Sequence, residues 1–275
     1  MTRKVMIVVS VLLIMAYAGM PVSSAAPEGW EAVDEGLFVG AFQSHNTSLL
    51  RKTTITIIRI DPDRYTFRLV CAKETGSKRM TVKEWCRRFG LLGGVNAGMY
   101  QGDFLSNVGY MKNYTHINNA RIASKFLSVF ACNPVKEGLQ RARIFDIDES
   151  NMQDIIANYN TIVQNLRLIK RPGENRWEKQ SKIWSEVALG EDADGNILFI
   201  YSPLPLSMHE FNGILLSLPI DIVCAQHLEG GAEASIYFRH GGVTIEKYGS
   251  YDVSLHSDAD DQGSAPIPNM IGFTR

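Results

Sequence analysis

Apolar residues recur at helical spacing in three short stretches of the chain, each opened by a capping signal. Thr81-Val82-Lys83-Glu84 reads as a capping box, in which the Thr side chain and the Glu three residues on close the first turn reciprocally. Val82, Trp85, Cys86 and Phe89 then share one face before Gly90 ends the helix. Ser150-Asn151-Met152-Gln153 repeats the device ahead of Met152, Ile155, Ile156 and Tyr159, and Ser207-Met208-His209-Glu210 does so ahead of Phe211, Ile214, Leu215 and Leu218. Helices this short and one-sided need a sheet to cover.

Strand-like runs fill the spaces between them. Thr53 to Ile60 and Tyr65 to Cys71 flank the turn sequence Asp61-Pro62-Asp63-Arg64 and read as a hairpin. A second pairs Val187–Leu189 with Ile197–Tyr201 across Asp192-Ala193-Asp194-Gly195, and a third pairs Ala234–Phe238 with Val243–Lys247 across Arg239-His240-Gly241-Gly242. Strands outnumber helices, and hairpins mix with helical crossovers. The expected class is α+β, with a mixed, largely antiparallel sheet or sheets and a few short covering helices. No repeat or low-complexity linker divides residues 26–275, which read as one domain.

The first residues form a different pattern. Arg3 and Lys4 precede an apolar run from Val5 to Met20, and Ser23-Ser24-Ala25 offers small residues for cleavage after Ala25. The run falls short of the ~20 residues that span a bilayer. A secretory signal over residues 1–25 is therefore expected, leaving a secreted or periplasmic protein with no membrane partner. Loss of Arg3 and Lys4 takes the formal net charge from −1 to −3. Neither value offers a basic footprint for nucleic acid. With 45% hydrophobic residues over 275 positions, a core needs no disulfide or metal staple. Cys71, Cys86, Cys132 and Cys224 have no metal-ligand spacing, and both disulfides and buried thiols stay open. Asn46-Thr47-Ser48 and Asn113-Tyr114-Thr115 match the glycosylation triplet.

Two glycine-centred segments carry the candidate chemistry. Gly93-Gly94-Val95-Asn96-Ala97-Gly98-Met99-Tyr100 follows the first helix, and Leu228-Glu229-Gly230-Gly231-Ala232-Glu233 follows the apolar run Ile222 to Ala225. A carboxylate beside two glycines lets backbone approach a ligand closely and turns amide N–H groups toward an anion. Asn96 to Tyr100, Trp184-Ser185-Glu186-Val187-Ala188-Leu189-Gly190, Leu228 to Gly231 and Pro266-Ile267-Pro268-Asn269 come in the order found in phosphodiester glycosidase domains. Gln164 to Ile169 and Gly195 to Ile200 also look like segments of that family, and the resemblance runs from about Thr53 to Phe273. Better-studied members, the lysosomal uncovering enzyme's relatives, carry Asn-Gly-Gly-Phe-Phe at the first segment and Leu-Asp-Gly-Gly-Gly-Ser at the third. Their Arg-Thr-Ala-Ile-Gly block aligns with Glu186 to Gly190, so a glutamate stands where the family has arginine.

The resemblance implies a glycosidase that breaks the bond between an anomeric carbon and a phosphate oxygen, its partner a glycan or sugar-phosphate in surface or extracellular polysaccharide. A phosphate monoester, with its second pKa near ~6, departs without strong acid help. The site must then supply a carboxylate near the anomeric carbon and donors for the phosphate charge. Glu229 occupies the family's acidic position and is the expected nucleophile or general base, with Glu233 as the second carboxylate. Arg167 is the expected phosphate cation, ahead of Arg121 and Lys112. Asn96 and Gly98 shape the turn and offer a donor to a sugar hydroxyl, Tyr100 and Trp184 offer faces for a sugar ring, and Gly230 and Gly231 offer backbone N–H groups. His227, beside the Glu-Gly-Gly turn, is a candidate proton carrier, and Asn269 reads as a loop cap. No metal or cofactor is expected, since His209, His227, His240 and His256 lack ligand spacing. Glu191 to Gly195 reads as a hairpin turn rather than a calcium loop, and Asp258, Asp260 and Asp261 as a solvated loop. The alternative is a non-catalytic carbohydrate- or anion-binding protein on the same fold, and a third reading is an ordinary glycoside hydrolase on neutral sugars.

Overall fold

A computed structural model describes residues 28–46, 51–249 and 264–275. The expected leader 1–25, the Asn46-Thr47-Ser48 triplet and the acidic segment with His256, Asp258, Asp260 and Asp261 lie wholly or partly outside them. Every strand pairing among the described residues is antiparallel, which realises the largely antiparallel class expected and leaves the mixed component without an example.

The strands form three sheets. An eight-stranded sheet runs Trp30–Asp34, Leu37–Asn46, Arg51–Ile60, Ile197–Leu206, Trp184–Asp192, Ile222–Gly230, Arg167–Lys170, Glu174–Asn175. A five-stranded sheet runs His116–Asn119, Met111–Asn113, Tyr159–Asn165, Ser128–Pro134, Ala142–Asp146. The other five-stranded sheet runs Val243–Tyr248, Ser235–His240, Gly93–Asn96, Asn269–Thr274, Thr66–Cys71.

Side chains alternate across each strand, so a sheet buried on both faces needs two apolar sets. One set from every sheet enters a common core. There the Phe67 ring lies 5.7 Å from Phe130 and 6.0 Å from Phe199, centroid to centroid, bringing one aromatic from each sheet together. The outward set of each sheet is covered by one helix. Met208–Ser217 lies over Ile200, Ile169 and Ala188, Val82–Phe89 over Val70, Tyr237 and Met270, and Met152–Asn158 over Val129, Ala131 and Ile162.

The capping boxes at Thr81 and Ser207 form as expected. The middle helix is capped one residue later than expected, by Asn151, whose side chain accepts the Gln153 N–H at 2.8 Å. An asparagine side chain reaches the second N–H of the helix, so Ser150 is left outside it.

One expected hairpin is corrected. Arg51–Ile60 and Thr66–Cys71 belong to different sheets, and the turn at Asp61 carries the chain from one to the other. Ile58 and Phe67 then meet through the shared core instead of across a ladder. The partner that Arg51–Ile60 does take is the ten-residue strand Leu37–Asn46, which matches its full length. The hairpin across Gly241-Gly242 forms, with φ of +56° and +83° at the two glycines, the conformation that tight antiparallel turns require. Asp192 binds the N–H groups of Asp194 and Asn196 and pairs with Arg59, so Glu191 to Gly195 is the turn expected. All four cysteines are free and buried, which resolves the open pairing question for them.

Since Phe67 joins all three sheets, Phe67→Ala should cost about 3–5 kcal/mol of unfolding free energy in a denaturant titration. A loss below about 1 kcal/mol would show that the sheets do not depend on this contact.

Candidate active site

The outer face of the eight-stranded sheet is apolar where the Met208–Ser217 helix covers it and becomes polar near the start of Trp184–Asp192. Ala188 faces the covered cluster, and Glu186, two residues earlier on the same face, is buried. In the neighbouring strand Val187 opposes Glu229 and Ala188 opposes His227, an irregularity that gives Ile222–Gly230 one extra residue. That residue, Leu228, enters the common core, and His227 and Glu229 on either side of it line a cavity of about 470 Å³. Met99, Leu166, Trp184 and Met208 supply apolar walls, and Gly230 and Gly231 line its floor.

A carboxylate buried on a sheet face must be fully paired. Glu186 meets this condition with two partners. Its Oε2 accepts the Trp184 indole N–H at 2.7 Å, and its Oε1 pairs with His227 Nδ1. Burial opposes the charged imidazolium, but the Glu186 carboxylate outweighs it, and His227 is held above the usual histidine pKa.

Glu229 sits beside that imidazole. Burial pushes its pKa up to about 7, with help from Glu233 and Glu186, while His227 and the Gly230 N–H pull the other way. That N–H donates to Glu229 Oε1 at 3.1 Å. The cavity thus holds a carboxyl raised to about 7 next to an imidazole whose protonated form its glutamate partner favours. Among the described residues that line it, none is a lysine or arginine.

The two glycine segments do converge. Met99 lines the same cavity as Glu229, and the Tyr100 hydroxyl donates to Glu233 Oε1 at 2.8 Å. Burial, that hydrogen bond and the charges of Glu233 and Glu229 push Tyr100 up to about 12, so it stays a donor. Gly98 has φ +130°, and a Cβ there would lie 2.8 Å from Asn165 Nδ2 and 2.9 Å from Asn107 Oδ1. Asn165 in turn donates to the Leu228 carbonyl, so only a glycine lets this loop settle against the Glu229 strand. Gly230 serves a similar end: a Cβ would meet the Trp184 ring at 2.2 Å. Gly231, at φ +70°, starts the short turn that sends Glu233 back toward Tyr100.

Other expected residues stand elsewhere. Asn96 is buried at 1% exposure, and its Oδ1 accepts the Ser235 N–H, so it clamps two strands and does not line the cavity. The role expected of Arg167 needs correction. Its guanidinium lies 2.7 Å from Asp148 and 3.3 Å from Asp146, two carboxylates that already satisfy its charge, and it is not among the cavity's lining residues. Lys112 donates to the carbonyls of Ile156 and Tyr159, and Asn269 ties the chain end to Asn118 and Leu105. A larger hollow of about 620 Å³ beside Asn133 to Arg141 holds one carboxylate, Glu137, and no histidine, so it offers no comparable chemistry.

Sequence reasoning undervalued the Glu186–His227 pair. Its signal was present: His227 and Glu229 are two apart in a strand and so share a face. What was missing was the register that sets Glu186 beside them.

The sequence pattern of the phosphodiester glycosidase family matches residues 89–274, about two thirds of the chain. No curated protein matches significantly. Among solved structures, a hypothetical protein from Synechocystis is similar at 13% identity and a TM-score of 0.64, over 87% of this chain and 62% of that one. The chain therefore spans less than two thirds of that protein's length. The zebrafish N-acetylglucosamine-1-phosphodiester alpha-N-acetylglucosaminidase catalytic domain, auto-inhibited by its pro-peptide, is similar at 14% identity and a TM-score of 0.63, over 92% of this chain and 85% of that one. At these identities the two structures speak for the fold alone. The matched span includes both glycine segments, the Glu186–His227 pair and Glu229, and the chain belongs to the phosphodiester glycosidase family.

Proposed function

We propose that this protein is a glycosidase that hydrolyses the bond between a sugar's anomeric carbon and a phosphodiester, acting on surface or extracellular glycan. The observation that carries this reading is that Glu229 and His227, the latter paired with the buried Glu186, line one cavity. The family's activity and the zebrafish enzyme's name point to the same substrate class. Export to the periplasm or beyond follows from the leader pattern in Met1 to Ala25.

In this mechanism Glu229, as carboxylate, meets the anomeric carbon as nucleophile or takes a proton from the attacking water. The C1–O bond breaks toward the phosphate, which keeps the bonding pair and leaves as a monoester. His227, charged through Glu186, offsets the negative charge that gathers on the leaving oxygen. Its Nδ1 is committed to Glu186, so the other ring nitrogen is the one available to substrate. The Tyr100–Glu233 hydrogen bond, outside the cavity lining, ties the segment that carries Met99 to the turn after Gly231. Trp184, packed against Gly230 in the cavity lining, offers its ring to a sugar.

A lining that is mostly apolar and carries no lysine or arginine among the described residues favours a second reading, a site for neutral saccharide without turnover. A panel separates the readings. Purified protein should release sugar from a sugar-1-phosphodiester and leave the matching methyl glycoside intact. Equal turnover of both would indicate an ordinary glycoside hydrolase, and binding without turnover a lectin-like protein.

Two predictions concern Glu229. For the enzyme, kcat/KM should rise with pH through about 7, as the carboxylate forms. Glu229→Gln should lower kcat by about 10²–10⁴-fold, the usual worth of such a group. Undiminished turnover in this variant would remove Glu229 from the mechanism. For stability, a carboxyl whose folded pKa is raised binds its proton more tightly in the native state. Its contribution is present below the unfolded value and is lost as pH rises through about 7. Glu229→Gln should therefore raise Tm by a few degrees at pH 8 and make little difference at pH 4. A variant less stable than wild type at pH 8 would contradict the burial argument.

A further inference from the structure

The phosphate half of such a substrate carries a charge that the cavity lining meets only with His227. Next to the cavity, the loop after Tyr100 is built around a strained aromatic. Tyr100 and Asn107 bridge its two ends, and Asp103 binds the N–H groups of Leu105 and Ser106 at 3.0 and 2.8 Å and the Ser106 hydroxyl at 2.6 Å. This turn holds Phe104 at φ +58°, a region an L side chain rarely adopts, with 54% of the residue exposed. An apolar ring kept in solvent at a conformational cost does not serve the core.

Two groups meet that ring. The Tyr100 ring lies 6.0 Å away, and the Arg79 guanidinium lies 5.3 Å from its centroid. Arg79 is itself fixed by its neighbours: Met80 bridges Ile267, and Thr81 caps the following helix. Among the described residues Arg79 makes no ion pair or hydrogen bond, whereas Arg59, Arg167 and Arg171 are all paired with carboxylates. A guanidinium set over an aromatic ring and not engaged by a carboxylate keeps N–H donors for another acceptor, and such a fork can grip two phosphate oxygens. It is also in electrostatic reach of the site, since Arg79 pulls on the same Tyr100 hydroxyl that Glu233 and Glu229 push on.

We propose that Arg79, held over the Phe104 ring, binds the anionic half of the substrate beside the Glu229 cavity, with Phe104 as its positioning residue. The identity of that anion as a sugar phosphate rests on the function proposed above; the anion site does not.

The test uses the full chain and phenyl phosphate as probe, with phenol as the uncharged control, read by calorimetry. Phenyl phosphate should bind wild type saturably and more weakly as salt is raised. Arg79→Gln should weaken it by about tenfold or more, the scale of one charge-assisted hydrogen bond. Arg79→Lys should fall between the two. Phe104→Ala should weaken binding and Phe104→Trp restore it, whereas a merely structural role for the ring would not distinguish charged probe from control. Absence of saturable binding to wild type, or equal binding by wild type and Arg79→Gln, overturns the proposal. If Arg79→Gln also hydrolyses a sugar-1-phosphodiester with an unchanged KM, the proposal fails and the glycosidase function stands. If Arg79-dependent binding occurs in a protein that turns over no phosphodiester, the proposal stands and the glycosidase function fails.

Discussion

A buried carboxylate on the face of a sheet has to be paired on both oxygens, and in this protein that requirement organises the site. Glu186 satisfies it with the Trp184 indole on one side and the His227 imidazole on the other. The first contact sets Trp184 against Gly230 as a wall of the cavity; the second favours the protonated form of His227 next to Glu229. Remove the carboxylate and the buried imidazole loses its hydrogen-bonded counter-charge, which favours its neutral form. Glu186 thus sets its charge against a histidine on the adjoining strand.

The packing explains why this happens at one end of the eight-stranded sheet. Three sheets send one face each into a common core, and three helices cover the other faces. The Met208–Ser217 helix is ten residues long and does not cover the whole face of a sheet whose longest strands also have ten residues. A helix rises 1.5 Å per residue and a strand about 3.3 Å, so a helix of equal residue count covers less than half of the strand's length. The uncovered end is where polar side chains can sit, and it is also where the Asn96 to Tyr100 and Glu229 to Glu233 segments leave their strands.

Much of this was legible in the sequence because it depends on local chemistry. Capping boxes at Thr81 and Ser207 and the Gly241-Gly242 turn follow from residue types at short spacing, whereas the meeting of the two glycine segments was legible only through the family resemblance. The features that were not legible depend on partners far away along the chain. Nothing near Asp61 says that its turn changes sheets, because the length match that decides it lies in Leu37–Asn46. Arg167 has the right chemistry for a phosphate, but Asp146 and Asp148, about twenty residues earlier in the chain, reach it first. The value of Glu186 and His227 emerges only from the register between two strands some forty residues apart.

The central claim is that Glu186 keeps His227 charged beside Glu229. Nitrogen-15 NMR of the histidine ring across a pH titration measures it directly. The imidazole should remain doubly protonated through neutral pH in the wild type and lose a proton at lower pH in Glu186→Gln. A His227 ring that is already neutral below the ordinary histidine range, in a folded wild-type protein, would contradict the account.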